Sequence, residues 1–108
     1  MPDDNRVILY IDDDPDYRLA ARQLLEANGY TFIEAESGEE GLRAFREHHP
    51  ALVIVDLMME EIDAGVSFLR EVRSGGSTAP VYLMSSVGDS LAMTTNAAEM
   101  GFSGVFQK

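Results

Sequence analysis

Three stretches of this chain are almost unbroken in apolar residues: RVILYI (6–11), ALVIVDL (51–57) and PVYLMS (80–85). They are far too short to cross a membrane. Runs of this length suit strands buried on both faces of a parallel sheet. Two further runs, YTFIEA (30–35) and SGVFQK (103–108), are shorter or more polar and read as strands nearer the sheet edges. Parallel neighbours cannot be joined by tight turns, so each pair demands a crossover, most often a helix.

The segments between the strands carry helical signals. After Pro15, Tyr17, Ala21, Leu24 and Leu25 recur at i, i+4, i+7 and i+8, and Asn28-Gly29 supplies a stop. Asp14 reads as the cap of this helix and Asp16 as favourable first-turn charge. Ser37 and Glu40 fit a capping box ahead of a second helix whose buried stripe is Leu42 and Phe45. Gly65, Phe68, Leu69 and Val72 mark a third helix, ended by Ser74-Gly75-Gly76-Ser77. Residues 89–100 suggest a fourth, weakly apolar helix starting near Asp89. The order β-α-β-α-β-α-β-α-β predicts an α/β doubly wound sheet with helices on both faces. One domain spanning residues 1–108 is expected, with no internal repeat or linker.

Net charge narrows the partners. Nineteen acidic against 8 basic residues give a formal charge of −11, which disfavours direct contact with nucleic acid and suits cations or basic protein surfaces. Cysteine is absent, excluding disulfides and thiolate metal sites. The opening MPDDNR resembles no signal peptide, and no apolar run suits a membrane, so a cytoplasmic location is expected.

In a doubly wound sheet, ligands bind beyond the carboxyl ends of the strands. The first strand delivers Asp12-Asp13 there, the third Asp56, the fourth Ser85-Ser86 and the fifth Lys108. Gathered carboxylates favour a cation, and hard oxygen donors favour Mg²⁺ (or Mn²⁺). A carboxylate set among a metal, a hydroxyl and an ammonium group suits attack on phosphorus, giving an aspartyl phosphate. A calcium loop built on Asp12, Asp14 and Asp16 fails, because Tyr17 stands where glycine is needed and Gln23 where glutamate is needed.

Taken together, ILYIDDDPD (8–16), LVIVDLMM (52–59), PVYLMSS (80–86) and GFSGVFQK (101–108) resemble the receiver domains of two-component response regulators. The resemblance implies a flavodoxin-like five-stranded sheet in the order 2-1-3-4-5. It implies Asp56 as phosphoacceptor, and Asp12 and Asp13 with the backbone carbonyl of Met58 as metal ligands, Asp13 the more direct. Ser85 matches the switch hydroxyl and Lys108 the lysine that pairs with the acceptor or its phosphoryl oxygens. Met58 and Val87 match positions that influence how fast water removes the phosphate, and Ser86 neighbours the switch. It further implies a sensor histidine kinase or phosphotransfer protein as donor, and an output domain or downstream protein as target. Such a domain is a switch, not an enzyme acting on other substrates.

The chain departs from the family pattern in four places. Glu60 stands where proline is common, and Gly65 comes one residue late after MEEIDA. Val105 occupies the position usually held by an aromatic switch residue. The sequence stops at Lys108, so the chain reads as truncated after the fifth strand, with four helices present and the fifth missing. An uncovered sheet face of that kind favours a homodimer. Two other readings are open to such a chain: a phosphorylation-independent interaction module, and an aspartyl-phosphate phosphohydrolase. The second uses a D-x-D motif on the first strand and a substrate cap, whereas here the expected acceptor, Asp56, is on the third strand and no cap is expected.

Overall fold

The computed structural model describes residues 6–56, 62–77, 79–85 and 103–107. Its strands are β1 (Val7–Ile11), β2 (Thr31–Ala35), β3 (Leu52–Asp56), β4 (Val81–Ser85) and β5 (Gly104–Gln107). All pairings are parallel, in the order β2-β1-β3-β4-β5. The two more polar runs are therefore the sheet edges, as their composition required. The helices are α1 (Pro15–Ala27), α2 (Gly38–His48) and α3 (Ile62–Ser74). The helix expected over residues 89–100 lies outside the described residues. α3 begins at Ile62, so Gly65 falls inside the helix, as expected for the third helical segment.

The two sheet faces differ in character. Leu9, Ile11, Ala35, Val53, Val55, Val81 and Leu83 alternate onto one face and pack with Phe68, Leu69 and Val72 of α3. Leu42 and Phe45 of α2 join them, and Phe45 meets Phe68 edge to face at 6.3 Å. α2 can approach β1 closely because residue 41 is glycine. A Cβ there would lie 2.9 Å from Ile11 Cγ1 and closer still to its Cδ1.

The opposite face, under α1, is polar at its margin. Tyr10 and Phe32 stack at 5.8 Å, and the Arg22 guanidinium lies 5.4 Å from the Phe32 ring centre. Arg22 also meets Glu34 at 3.0 Å. α1 has no fully buried residue. Of its expected apolar stripe, Ala21 and Leu25 are half-buried, but Tyr17 and Leu24 are exposed, at 41% and 64%. The apolar spacing identified the helix and half of its inward face, Ala21 and Leu25, and misplaced Tyr17 and Leu24. The half-buried positions are Arg18, Ala21, Arg22 and Leu25, because two arginine stems line the contact with β2.

Local chemistry sets the helix ends. Asp14 is extended (φ −88°, ψ 111°) and its Oδ1 accepts from the Asp16 N–H at 2.9 Å, with Pro15 opening the first turn. Ser37 Oγ accepts from the Glu40 N–H at 3.1 Å, while Glu40 Oε1 takes the Glu36 N–H at 2.8 Å. The reciprocal bond of the capping box is thus made one residue early. His48 closes α2, and His49 caps it in the left-handed region at φ 49°. Among the described residues, no helix is long and apolar enough to cross a membrane.

Candidate functional site

β1 and β3 are neighbours, with Ile11 opposite Val55. The next rung carries Asp12 and Asp56, so two carboxylates leave adjacent strands at the same end of the sheet. Asp12 is 0% and Asp56 2% exposed, whereas the neighbouring Asp13 is exposed. One oxygen from each of Asp12, Asp13 and Asp56 lies within 4.8 Å of the other two.

Asp12 is held on every side. Its N–H donates to the Ala35 carbonyl at 3.0 Å, and its own carbonyl accepts from Arg18 Nη1 at 2.8 Å. Oδ1 accepts from the Asp14 N–H at 3.0 Å, and Oδ2 accepts from the Tyr10 hydroxyl at 3.1 Å. Burial, and after it the Asp12 carboxylate and then Asp56, hold the Tyr10 phenol above the ordinary tyrosine range. Arg18 in turn bonds Glu34 Oε1 through Nε at 2.9 Å, tying the start of α1 to β2.

Three acidic groups this close, two of them buried, form an oxygen-only donor set facing one point. An octahedral Mg²⁺ holds its ligands at about 2.1 Å, so opposite ligands stand about 4.2 Å apart. The 4.8 Å span fits such an ion with a slight closure or an intervening water. Hard oxygen donors with no sulfur or imidazole in the cluster match Mg²⁺ or Mn²⁺ in kind.

The remaining expected site residues fall at the same rim or outside the described residues. Ser85 ends β4, one rung beyond the Asp56–Met84 pair, and only its backbone is described. Val105 sits in β5 opposite Leu83, again as backbone. Gln107 pairs with Ser85. Met58, Ser86, Val87 and Lys108 lie outside the described residues. Two residues escaped the sequence reading, Tyr10 and Arg18. The available signal for Tyr10 was a single hydroxyl in an otherwise aliphatic strand, two positions before Asp12 and so on the same face.

Comparison with known proteins agrees with this architecture. The family model described as "Response regulator receiver domain" matches residues 8–108. The chain is 32% identical over 95 residues to the chemotaxis protein CheY of Bacillus subtilis, covering 87% of this chain and 78% of that protein. It is 40% identical over 84 residues to the transcriptional regulatory protein KdpE of Mycobacterium tuberculosis, covering 78% of this chain but 36% of that one. A similar third of the length is spanned in other regulators that match. Among solved structures, a response regulator receiver domain protein from Clostridium thermocellum superposes with a TM-score of 0.82 at 31% identity. That match covers 94% of this chain and 81% of the other.

Proposed function

Because the chain belongs to the response regulator receiver domain family, we propose that it is a phosphoacceptor switch in which Asp56 takes a phosphoryl group from a histidine kinase or phosphotransfer protein. The observation that carries the reading is the meeting of Asp12, Asp13 and Asp56 within 4.8 Å at the ends of adjacent strands. An Asp56 oxygen attacks the phosphorus of a phosphohistidine. The new O–P bond forms as the N–P bond breaks, and the histidine nitrogen leaves with the electron pair. Asp12 and Asp13 would hold Mg²⁺ with the backbone carbonyl of Met58. When bound, the ion neutralises charge building on the phosphoryl oxygens.

The chain's own residues do the rest. Asp56 stands at the end of a strand whose neighbours fix its backbone on both sides, so its carboxylate waits in a defined place. Ser85, one rung further on β4, donates its hydroxyl to the phosphoryl group, and Lys108 supplies an ammonium group to its oxygens. Movement of Ser85 toward the phosphate reshapes the β4–β5 surface that the output domain or downstream protein reads. Met58, Ser86 and Val87 match the family's phosphate-neighbouring positions, and apolar side chains at Met58 and Val87 would slow hydrolysis by water. The domain's location is the cytoplasm, where such kinases present their phosphate.

Incubation with Mg²⁺ and acetyl phosphate tests the proposal. Acid-labile phosphate appears in the chain and is absent from Asp56→Asn. A Mg²⁺-binding protein that takes no label favours a phosphorylation-independent interaction module, and steady turnover of unrelated phosphate esters favours a hydrolase.

A further inference from the structure

Tyr10 is a buried polar side chain that phosphoryl transfer does not require. Its ring is 3% exposed and packs on Phe32, a task that phenylalanine would perform equally well. The hydroxyl is what distinguishes it. A phenol brought this deep must find a partner, and its partner is Oδ2 of Asp12 at 3.1 Å. Tyr10 lies on β1 and Asp12 one residue past its end, where the Asp12 N–H bond to the Ala35 carbonyl carries the strand pairing on, so the i and i+2 side chains project from the same face.

The contact completes the immobilisation of Asp12. The Ala35 carbonyl and Arg18 Nη1 fix its backbone, at 3.0 and 2.8 Å. The Asp14 N–H holds Oδ1 at 3.0 Å, and the Tyr10 hydroxyl holds Oδ2. With both carboxylate oxygens engaged, the plane of the group is set relative to Asp13 and Asp56. Each oxygen still keeps a lone pair for an ion or its water. Hydrogen-bond partners standing behind a ligating carboxylate orient it and tune its affinity for metal.

We propose that Tyr10 is a positioning residue for the divalent cation, with its hydroxyl setting the Asp12 carboxylate in the orientation the ion needs. The proposal rests on the reading of Asp12 and Asp13 as cation ligands. Tyr10 bonds the Asp12 carboxylate, and its effect on the ion runs through that group.

The test is calorimetric titration of Mg²⁺, repeated with Mn²⁺, into the whole chain and into Tyr10→Phe, Asp12→Asn and Asp13→Asn. Tyr10→Phe is expected to bind about tenfold more weakly while its circular dichroism spectrum stays that of the folded parent. Affinity within twofold of the parent overturns the proposal while leaving the cation site intact. Wild-type affinity in both Asp12→Asn and Asp13→Asn overturns the cation site itself, and the role of Tyr10 with it. A second measurement needs no substitution. The ¹³Cζ resonance of Tyr10 in tyrosine-labelled protein should shift with Mg²⁺ at the calorimetric midpoint, and a resonance that stays fixed through saturation refutes the assignment.

Discussion

Arg18 joins three elements at one point: Nε meets Glu34 Oε1 of β2 at 2.9 Å while Nη1 donates to the carbonyl of Asp12 at 2.8 Å. The first helix is thereby fastened to the sheet at the edge of the acidic cluster, by a fork of donors and not by an apolar stripe. The side chain is only 14% exposed, so its bonds are partly shielded from water. Lysine has one charged point and cannot span both acceptors. Arg18→Lys should cost about 1 kcal/mol, and Arg18→Ala about 2 kcal/mol, where the Asp12 carbonyl loses its partner and the arginine stem its packing. Urea unfolding measures both, and equal stability of the lysine variant and the parent would remove the bridging role.

Gly41 makes the opposite side of the sheet close. A methyl group there would fall within 2.9 Å of Ile11 Cγ1, and nearer to Cδ1. Alanine is the better helix former by about 1 kcal/mol, but forced overpacking costs about 1–3 kcal/mol. Gly41→Ala should therefore destabilise on balance. Ile11→Val, which removes Cδ1, should recover part of the loss in the double variant. Additive losses in that cycle would show that the two positions do not press on each other.

Much of this architecture is legible in the sequence, and the reasons differ by element. The apolar runs ending at Ile11, Asp56 and Ser85 announce central strands, each paired on both edges, although Leu52, Ile54, Tyr82 and Met84 on the second face of β3 and β4 are only half-buried. Asp14 and Ser37 announce helix starts because their side chains satisfy the first free N–H groups. The acidic cluster follows from strand ends alone once the sheet is parallel. The burial of α1 was not legible. Tyr17 and Leu24 mimic a core stripe, yet Arg18 and Arg22 face the sheet, because Glu34 on the edge strand offers them carboxylate partners. Such pairing depends on register between distant segments, which apolar periodicity does not encode.

The buried phenol has a consequence at high pH. Burial and the Asp12 carboxylate raise the folded Tyr10 above the ordinary tyrosine value of 10.0. Its contribution to stability is complete below the unfolded-state value and is lost as pH rises toward the folded one. In chelator, stability should decline above about pH 10, by up to about 1.4 kcal/mol per pH unit from this group. Tyr10→Phe should show a shallower decline over the same interval in pH-dependent urea unfolding. Parallel curves for the two proteins would mean that the hydroxyl is not held in a protonated state by the fold.

The acidic cluster also ties folding to the cation. A ligand that binds only the folded chain stabilises it by about 1.4 kcal/mol at tenfold its dissociation constant. Thermal unfolding of the parent should therefore move upward with Mg²⁺, and Asp13→Asn should lose most of that response. In chelator the same variant should be at least as stable as the parent, because one of three mutually repelling carboxylates is gone. A variant that keeps the full Mg²⁺ response would place the ion elsewhere.

The central claim is that the carboxylate at the end of β3 receives the phosphoryl group, and its most direct test is chemical trapping of the site. The chain is incubated with acetyl phosphate and Mg²⁺, reduced with borohydride, and mapped by peptide mass spectrometry. An aspartyl phosphate is converted to homoserine, which should appear at position 56 alone, disappear with chelator and be absent from Asp56→Asn. Homoserine at Asp12 or Asp13, or none at all in a chain shown to bind Mg²⁺, would contradict the account.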